Sequence, residues 1–265
     1  MSLPVSFLSD YGYADEFVGV CHSVIAQGAP QSQLIDITHG IERHDVRSGA
    51  LILRRSLPYF AAGVHLAVVD ARVGGKRRAL ALRSAEDDRL FVGPDNGLLS
   101  LAVQYFGGIA EAVEISLSAH RLQPVSPTFH GRDVFAPVAA QLAAGADIAN
   151  CGLPIDPAEV ELLEMPLAQA EGDQLIAHVL IIDTYGNVTL DVEHDELAGF
   201  GLSLGQQLEV NGRSAPYVTS YVEVQPGALM AYEDSYRSLA LAVNRGSAAE
   251  ALGLALDDEV RIIAR

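Results

Sequence analysis

The chain has 265 residues, of which 49% are hydrophobic and 19% charged, a composition typical of a well-packed globular protein rather than a disordered one. This length is enough for one large domain or two ordinary ones, and we expect two. The formal net charge of -17 at pH 7 argues against nucleic acid or an anionic membrane as a partner, because both select clusters of lysine and arginine.

The cysteine content and the length of the apolar runs argue against a disulfide-rich protein and against a transmembrane protein. Two cysteines, Cys21 and Cys151, are too few for a disulfide scaffold and show no metal-ligand spacing. No apolar run approaches the roughly 20 residues that span a bilayer. The opening Met1-Ser2-Leu3-Pro4 leads directly into a predicted strand and lacks the pattern of a signal peptide. We therefore expect a cytoplasmic protein, with Cys21 as a buried thiol.

Strand and helix patterns alternate along the first part of the chain. Apolar runs predict strands at 5–9 and 64–69, and the spacing of apolar residues predicts a helix over 16–27. Asp45 is placed to cap a second helix over 46–57, which Pro58 ends. Further predicted elements are short strands at 80–82 and 89–92 and helices at 96–105 and 134–144. This alternation predicts an α/β domain with a mainly parallel sheet and helices on both faces.

The sequence changes character after residue 154. Pro154, Pro157 and Pro166 punctuate a connecting segment, and short strands separated by glycine and asparagine turns follow. The predicted strands are 174–183, 188–191, 207–210, 218–222, 228–232, 239–243 and 259–263. We therefore predict an α/β domain over 1–168 and a smaller β-rich, barrel-like domain over 169–265.

Two short polar blocks, 68–78 and 128–137, adjoin predicted strands or helices in otherwise apolar sequence. Asp70 ends the most apolar predicted strand, and a carboxylate there must be paired or catalytic, since burying it alone is costly. Arg77 lies across a glycine-bearing loop and is its natural partner. His130 precedes a glycine, which permits close backbone approach. The blocks indicate either an active site on strand ends or a structural ion pair.

Other polar positions are weaker signals. Asp10 ends the first predicted strand, where ligands of open α/β sheets bind, so it suits a ribose diol or a metal as well as a turn cap. The turn 183–187, Asp-Thr-Tyr-Gly-Asn, offers an acid, an aromatic ring and an amide to an amine and a purine. The same pattern is also ordinary hairpin chemistry. Tyr221 and the Ser235-Tyr236 pair carry little weight alone.

Taken in order, these blocks resemble the S-adenosylmethionine hydroxide adenosyltransferases, relatives of the fluorinating and chlorinating enzymes that act on the same substrate. The resemblance covers essentially the whole chain and rests on the blocks 9–12, 70–77, 129–133, 183–187 and 244–249. It implies that water or hydroxide displaces methionine at the 5′ carbon of S-adenosylmethionine, which yields adenosine and L-methionine. S-adenosylmethionine is then the substrate, and no cofactor or metal is implied.

The resemblance also implies roles for individual residues. The family's catalytic set falls on Asp70, Arg77 and His130. Among the substrate contacts, Asp10 would bind the ribose hydroxyls. The adenine edge would meet Asn187 and the backbone near Arg245, and the adenine faces would meet Tyr185 and Tyr221. The methionine amino acid group would be bound by Asp183 and Ser235, with Tyr236 beside the serine. The family further implies a homotrimer, in which two subunits enclose each site.

Several positions separate this chain from the halogenating relatives. Those enzymes carry a tyrosine at the position of Asp70, and the fluorinating branch has a hydroxyl residue where this chain has Gly131. The chain therefore resembles the hydroxide users. It departs from the usual loop, Asp-Pro-Gly-Val-Gly-Thr, at Ala71, Arg72 and Gly75, which adds a cation near the site.

The chemistry explains why such residues are needed. A sulfonium is already a good leaving group, so the difficulty is the nucleophile, because the pKa of bulk water is about 15.7. The ordinary pKa of histidine suits a general base at neutral pH. Our hypothesis is that Asp70 and His130 hold and partly deprotonate the water while Arg77 stabilises the developing hydroxide.

Three rival functions remain. A non-catalytic S-adenosylmethionine or adenosine sensor would not need Asp70, Arg77 and His130 together. A metal-dependent hydrolase using Asp10, Asp70, His130 and Asp133 would be expected to show His-x-x-x-His or paired-carboxylate spacing, which is absent. A halide-using adenosyltransferase is the closest rival in chemistry.

Overall fold

The structure, a computed structural model, describes residues 2–265, and the chain divides into two compact units. The first unit ends at Leu163 and the second is Glu164–Arg265. The predicted boundary at 168/169 lies five residues after this division, just before the strand Gln169–Glu171. Within residues 2–265, no helix has both the length and the apolar character needed to cross a membrane.

The first unit contains a seven-stranded mixed sheet. Its strands are β1 (Val5–Ser9), β2 (Leu34–Thr38), β3 (Val64–Val68), β4 (Ala79–Ser84), β5 (Leu90–Pro94), β6 (Ile109–Glu114) and β7 (Leu153–Pro154). The order across the sheet is β2-β1-β3-β5-β4-β6-β7. The first four strands of this order pair in parallel and the remaining pairs are antiparallel. The carboxyl ends of β1, β2 and β3 therefore lie at one edge, where ligands of α/β sheets bind.

Helices cover both faces of this sheet, as predicted. The elements are α1 (Phe17–Gly28), α2 (Val46–Ser56), α3 (Ser100–Tyr105) and α4 (Ala136–Ala143), with 3-10 turns at Leu57–Tyr59, Ile148–Asn150 and Pro157–Glu159 and a π-helical turn at Gly131–Phe135. Residues of α1 and α4 share one apolar core with one face of the sheet, and residues of α2 and α3 share another with the opposite face. Side chains alternate along each strand, so β3 sends Leu66 to the first core and Ala67 to the second.

Local signals explain several of these elements. Asp45 caps α2 as predicted, because its carboxylate accepts a hydrogen bond from the Ser48 amide at 2.9 Å. Cys21 and Cys151 are both free and buried. The buried side of α1 presents Val18, Cys21 and Ile25 to the core.

The second unit is a β-rich fold whose sheet curls toward closure, as predicted. Its strands are β8 (Gln169–Glu171), β9 (Gln174–Ile182), β10 (Val188–Glu193), β11 (Gln207–Val210), β12 (Arg213–Pro216), β13 (Leu229–Glu233), β14 (Ser238–Val243) and β15 (Glu259–Ala264), with helices α5 (His194–Leu197) and α6 (Ala248–Leu252) and a 3-10 turn at Tyr221–Glu223. The order is β12-β11-β15-β9-β10-β14-β13, with β8 paired to β9. The Val218 amide, two residues beyond β12, donates to the Ala231 carbonyl of β13 at 3.0 Å, so the chain leaving one outermost strand pairs with the other.

Several elements differ from the sequence prediction. The predicted strand at 218–222 is wrong, because Ser220 and Glu223 form a capping box that begins a 3-10 turn there. The strands β2, β6, β7, β8 and β12 and the short helices α5 and α6 are missed. β2 and β12 are edge strands, and β6 borders only the two-residue β7 on its outer side. Strands at edges carry polar residues that obscure the apolar pattern.

Candidate active site

Asp70 lies just beyond the carboxyl end of β3, and the loop that follows turns back toward it. The Arg72 amide donates to Asp70 Oδ1 at 3.1 Å. Arg77 Nε donates to Oδ2 at 2.8 Å, and Arg77 Nη2 donates to the same oxygen. Only 4% of the Asp70 side chain and 3% of the Arg77 side chain are exposed. A buried carboxylate is tolerated here because a guanidinium meets it directly.

Arg77 also connects Asp70 to His130. Its Nη2 lies 3.1 Å from His130 Nδ1, and its Cζ lies 5.1 Å from the centre of the Phe135 ring. His130 stands immediately before the π-helical turn. The structure thus brings together the three residues predicted to be catalytic, although they come from segments 53 positions apart.

The electrostatics of this cluster favour a neutral histidine. Burial lowers the pKa of His130 below its ordinary value, and the positive charge of Arg77 lowers it further. A guanidinium has donors and no acceptor, so His130 Nδ1 must be the accepting nitrogen. The ring proton of neutral His130 is therefore on Nε2.

Tyr11 is a neighbour of the cluster to which the sequence prediction gave no role. A Cβ added to Gly131 would lie 2.2 Å from Tyr11 Oη, so the phenol fills the space that a side chain at 131 would need. The ring contacts Phe17 and Phe129 at centroid distances of 5.8 and 5.9 Å. Burial raises the pKa of Tyr11 well above its usual value, and nearby acids including Asp70 raise it further. The hydroxyl is a neutral donor beside the site.

Asp10 lies at the same edge of the sheet as Asp70. Its amide donates to the Val68 carbonyl at the end of β3, at 3.4 Å. Its Oδ2 accepts the His44 amide at 3.0 Å, and His44 adopts a φ of 68° to present that amide. The His44 side chain itself is 63% exposed. Asp10 is therefore held at the strand end where a ribose contact was predicted.

The neighbouring Arg132 and Asp133 pair with each other. Asp133 Oδ1 accepts Arg132 Nε at 2.6 Å, and Oδ2 accepts Arg132 Nη2 at 2.9 Å and the Ser126 amide at 2.7 Å. Burial alone would raise the pKa of Asp133, but these donors hold it below its usual value. Asp133 thus fixes the segment before the π-helical turn, which weighs against its use as a ligand in the metal-dependent hydrolase alternative.

The residues at which the 70–77 loop departs from the usual family sequence alter the protein surface rather than the Asp70 cluster. Arg72, the added cation, is 54% exposed and pairs with Glu161 at 3.0 Å, while its backbone amide serves Asp70. Gly74 has a φ of +74°, and a Cβ there would lie 2.2 Å from the Pro127 carbonyl oxygen. This glycine lets the 70–77 loop approach the chain segment that leads to His130.

In the second unit, Asp183 organises the turn between β9 and β10. Its Oδ1 accepts the Tyr185 and Asn187 amides at 2.8 and 2.9 Å, and its Oδ2 accepts Asn187 Nδ2 at 2.8 Å. The Gly186 carbonyl accepts the amides of Ala248 and Ala249 at 2.9 and 3.0 Å. The turn is thereby held against the segment 244–249, as a joint adenine site would require, and Tyr185 is 79% exposed at its tip.

Two tyrosines extend this second cluster. Asn244 Nδ2 donates to the Tyr221 carbonyl at 3.1 Å, so Tyr221 lies beside the segment that carries Arg245. The Tyr221 hydroxyl donates to Tyr232 Oη at 3.2 Å. Burial raises the pKa of Tyr232, and the contact with Tyr221 and the charge of Asp183 raise it further. The sequence prediction missed Tyr232, because only its position on β13 places it there.

Ser235 and Tyr236 occupy the turn between β13 and β14. Asp234 Oδ1 accepts the Tyr236 amide at 2.9 Å and shapes this turn. Asp234 also links this turn to the start of β10, because its Oδ2 accepts a hydrogen bond from the Thr189 hydroxyl at 3.1 Å. The shared contact of Ser235 and Asp183 with the methionine amino acid group stays a prediction.

Fold and site together define a class of protein in which an α/β unit with a buried aspartate–arginine–histidine cluster precedes a barrel-like β unit. The chain belongs to the S-adenosylmethionine hydroxide adenosyltransferase family. The model of the family's N-terminal domain matches residues 5–152, and the model of its C-terminal domain matches residues 177–261.

Individual relatives agree with this assignment. The chain is 45% identical over 260 residues to the (R)-S-adenosyl-L-methionine hydrolase of Salinispora tropica, covering 98% of this chain and 97% of the relative. It is 28% identical to the fluorinase of Nocardia brasiliensis, covering 92% and 91%. The crystal structure of an uncharacterized conserved protein from Thermotoga maritima superimposes with a TM-score of 0.90 at 34% identity, covering 98% of this chain and 99% of that one.

Proposed function

We propose that this protein hydrolyses S-adenosyl-L-methionine to adenosine and L-methionine, with water attacking the 5′ carbon. The observation that carries the proposal is the buried Asp70–Arg77–His130 cluster in a chain 45% identical to an (R)-S-adenosyl-L-methionine hydrolase. A bond forms between the water oxygen and C5′ as the C5′–S bond breaks. The bonding electrons pass to sulfur, and one proton must leave the water.

Asp70 is the proton acceptor in this proposal. Arg77 meets Oδ2 with two N–H groups, whereas Oδ1 accepts the Arg72 amide and keeps a further lone pair. A water held at Oδ1 gives up its proton as its oxygen bonds to carbon. General-base catalysis by a positioned side chain accelerates a reaction by about 10²–10⁴-fold.

His130 takes a different role from the one hypothesised from the sequence. Its Nδ1 accepts a hydrogen bond from Arg77, so the neutral ring presents a donor at Nε2 and no free lone pair. Such a ring orients the water or a ribose oxygen but does not remove a proton. Arg77 then positions both Asp70 and His130, and the base is Asp70 alone.

The substrate contacts complete the proposal. Asp10 would bind the ribose hydroxyls. The adenine and methionine contacts would be those implied by the family resemblance: Asn187, the Arg245 backbone, Tyr185, Tyr221, Asp183, Ser235 and Tyr236. The packing of the 183–187 turn against 244–249 supports the adenine assignment. The displacement uses no cofactor, because the sulfonium supplies the leaving group.

We further propose a cytoplasmic homotrimer with its active sites at subunit interfaces. This proposal is supported by membership of the family, because the family resemblance implies that the two halves of each active site come from different subunits. Light scattering after size-exclusion chromatography measures the mass directly, and a monomer with full activity would refute this part of the proposal.

The test of the reaction is incubation of the purified protein with S-adenosylmethionine in ¹⁸O-labelled water, with mass spectrometry of the products. Adenosine labelled at its 5′ oxygen is the expected result. Unchanged substrate that still binds tightly would instead indicate a non-catalytic sensor. A 5′-chloro product at high chloride would indicate the halide-using alternative, which the lower identity to a fluorinase disfavours.

A further inference from the structure

A second group of potential ligand side chains lies outside the Asp70 cluster and shares no residue with it. His22 is on α1, Asp36 is on β2, and His39 immediately follows β2. One ligand atom from each residue lies within 4.8 Å of the other two. No step of the proposed hydrolysis uses these three side chains.

The distances within this group resemble those around a four-coordinate metal ion. His22 Nε2 lies 2.8 Å from Asp36 Oδ1, and His39 Nε2 lies 3.2 Å from the same oxygen. Zinc bonds of about 2.0–2.1 Å to nitrogen and oxygen would place tetrahedral ligand atoms about 3.3 Å apart. An ion would therefore fit among the three atoms with small side-chain movements.

His39 gives the second, independent indication. Its side chain is completely buried, and its Nε2 forms no hydrogen bond despite facing the Asp36 carboxylate. Its other nitrogen, Nδ1, lies 2.7 Å from Ser9 Oγ. Histidines that bind metals usually donate their second nitrogen to such a partner, which directs the remaining lone pair at the ion. An unpartnered buried nitrogen costs free energy, and a cation between it and the carboxylate removes that cost.

The donor set suits a cation as well, because two imidazole nitrogens and one carboxylate oxygen are ligands that borderline divalent metals select.

We propose that His22, Asp36 and His39 bind one divalent transition-metal ion, with Zn²⁺ the best fit. For the ion to bind, the neutral His22 ring takes the tautomer with its proton on Nδ1, which leaves the Nε2 lone pair free for the metal. The partly exposed sides of His22 and Asp36 leave a fourth position for water. The Tyr13 hydroxyl, 3.2 Å from Asp36 Oδ2, orients the carboxylate from outside.

The site would be structural, and it would support the loop that carries Asp10. The ion would join α1 to the edge strand β2. The Gly12 amide donates to the His39 carbonyl at 2.8 Å, and Ser9 Oγ accepts the Tyr11 amide at 3.2 Å. The segment 9–12 is therefore attached to His39 at two points. The proposal is independent of the hydrolase assignment, because metal binding is measured without S-adenosylmethionine.

The simplest rival is a histidine–carboxylate ion pair without a metal. His194 offers a matched control, since its Nδ1 pairs with Glu233 Oε2 at 2.6 Å on the surface of the second unit. His194 has the same chemistry as His22 but belongs to no three-ligand group within residues 2–265.

The experiment uses the full chain without an affinity tag, stripped with a chelator and titrated calorimetrically with Zn²⁺ and Co²⁺. We expect one ion per chain, with the intense visible absorption of four-coordinate Co²⁺. Losing an outer partner of a metal ligand costs about 10–100-fold in affinity, so Ser9→Ala should fall in that range and His22→Ala, which removes a ligand, should exceed it. Zn²⁺ should raise the Tm of the wild type and of His194→Ala, but not of His22→Ala.

Three results would overturn the proposal. The first is no saturable binding to the stripped wild-type chain. The second is equal affinity in His22→Ala and the wild type, which would indicate an adventitious ion only. The third is an equal loss of binding in His194→Ala and His22→Ala, which would show that any surface histidine–carboxylate pair suffices.

Discussion

Arg77 Nη2 lies 3.1 Å from His130 Nδ1, and this contact fixes how the histidine can act. A guanidinium only donates, so the facing imidazole nitrogen can only accept. Protonation of His130 would put two N–H groups against each other. The same arrangement occurs at His65, whose Nε2 lies 3.2 Å from Arg89 Nη1 and whose Nδ1 lies 2.8 Å from Ser6 Oγ. In the first unit, burial and a facing arginine together lower the pKa of two histidines.

The assignment of Asp70 as the base predicts a large loss of rate in Asp70→Asn. The amide has nearly the same shape but does not accept a proton, so kcat should fall by about 10²–10⁴-fold. The affinity for S-adenosylmethionine should change little, since no substrate contact is assigned to Asp70. Adenosine formation measured by chromatography gives kcat, and calorimetry gives the affinity. Asp88→Asn, a change at a side chain that is 87% exposed, is the control. A kcat of Asp70→Asn equal to that of the wild type would contradict the assignment of Asp70 as the base.

The neutral state of His130 predicts a pH dependence of activity and a response to Arg77. Because burial and Arg77 lower its pKa, activity should persist below the ordinary histidine pKa of about 6.5 and fall only on stronger acidification. In Arg77→Gln the positive charge is lost, so the pKa of His130 should rise. NMR titration of the His130 ring protons measures this shift in both chains. An unchanged or lower pKa in the variant would contradict the contact as described.

His65 predicts how the stability of the first unit depends on pH. Burial, with a smaller effect of Arg89, lowers its pKa from 6.5 to about 3. The unfolded chain therefore binds a proton that the folded chain excludes, so stability is full above about pH 6.5 and is lost as pH falls toward 3. The slope should be about 1.4 kcal/mol per pH unit in that window.

His65→Gln tests this dependence. It should be less stable near neutral pH, because glutamine fills the ring's place poorly, but its unfolding free energy should fall less steeply between pH 6 and pH 4. Urea unfolding at several pH values measures both slopes, with His194→Ala as a histidine control. If the free energy of unfolding fell equally steeply with pH in His65→Gln and in the wild type, another group would be responsible for the pH dependence.

The contact between Tyr11 and Gly131 predicts coupled effects of two substitutions. A Cβ at 131 would lie 2.2 Å from Tyr11 Oη, so Gly131→Ser must displace a half-buried ring and should cost about 1–3 kcal/mol of stability. Because the ring adjoins the Asp70 cluster, the rate should fall as well. Tyr11→Phe removes the atom that clashes and should restore part of the loss. Unfolding of both single variants and the double variant forms a thermodynamic cycle, and strict additivity would show that the two residues do not meet.

The sequence predicted elements that depend on local chemistry. The strands β1 and β3 are short, mostly apolar segments that are fully buried, and Asp45 caps α2 through its own neighbours, so three to eight residues contain the whole signal. The pairing of Asp70 with Arg77 was also predictable, since only seven positions separate them and a buried carboxylate requires a cation.

Features that depend on distant contacts were not predictable in this way. Tyr11 meets Gly131 only because α1, β1 and the π-helical turn pack together. The separation between His22 and Asp36 follows no metal-binding motif, since one residue is on a helix and the other on the adjacent edge strand. The predicted strand at 218–222 was wrong because of a local interaction rather than a distant one. A capping box between Ser220 and Glu223 satisfied the backbone locally, against the β-propensity of valine and tyrosine.

The turn at 183–187 predicts a specific effect on substrate affinity. Gly186 has a φ of +77°, and a Cβ there would lie 2.1 Å from Ser247 Oγ. Gly186→Ala should therefore separate the turn from the segment 244–249, which carries the proposed adenine contacts. We expect KM for S-adenosylmethionine to rise at least about tenfold, a loss of about 1.4 kcal/mol of binding, while kcat changes less, because the Asp70 cluster lies in the first unit.

Gly212→Ala is the matched control for this variant. Gly212 has the same φ of +77°, but nothing lies within 4 Å of an added Cβ. It should therefore show only the backbone strain of a left-handed alanine, about 1–2 kcal/mol of stability, with an unchanged KM. Steady-state kinetics and thermal unfolding of the two variants separate strain from lost recognition. Equal KM values in both would mean that the contact of the turn with 244–249 does not form the adenine site.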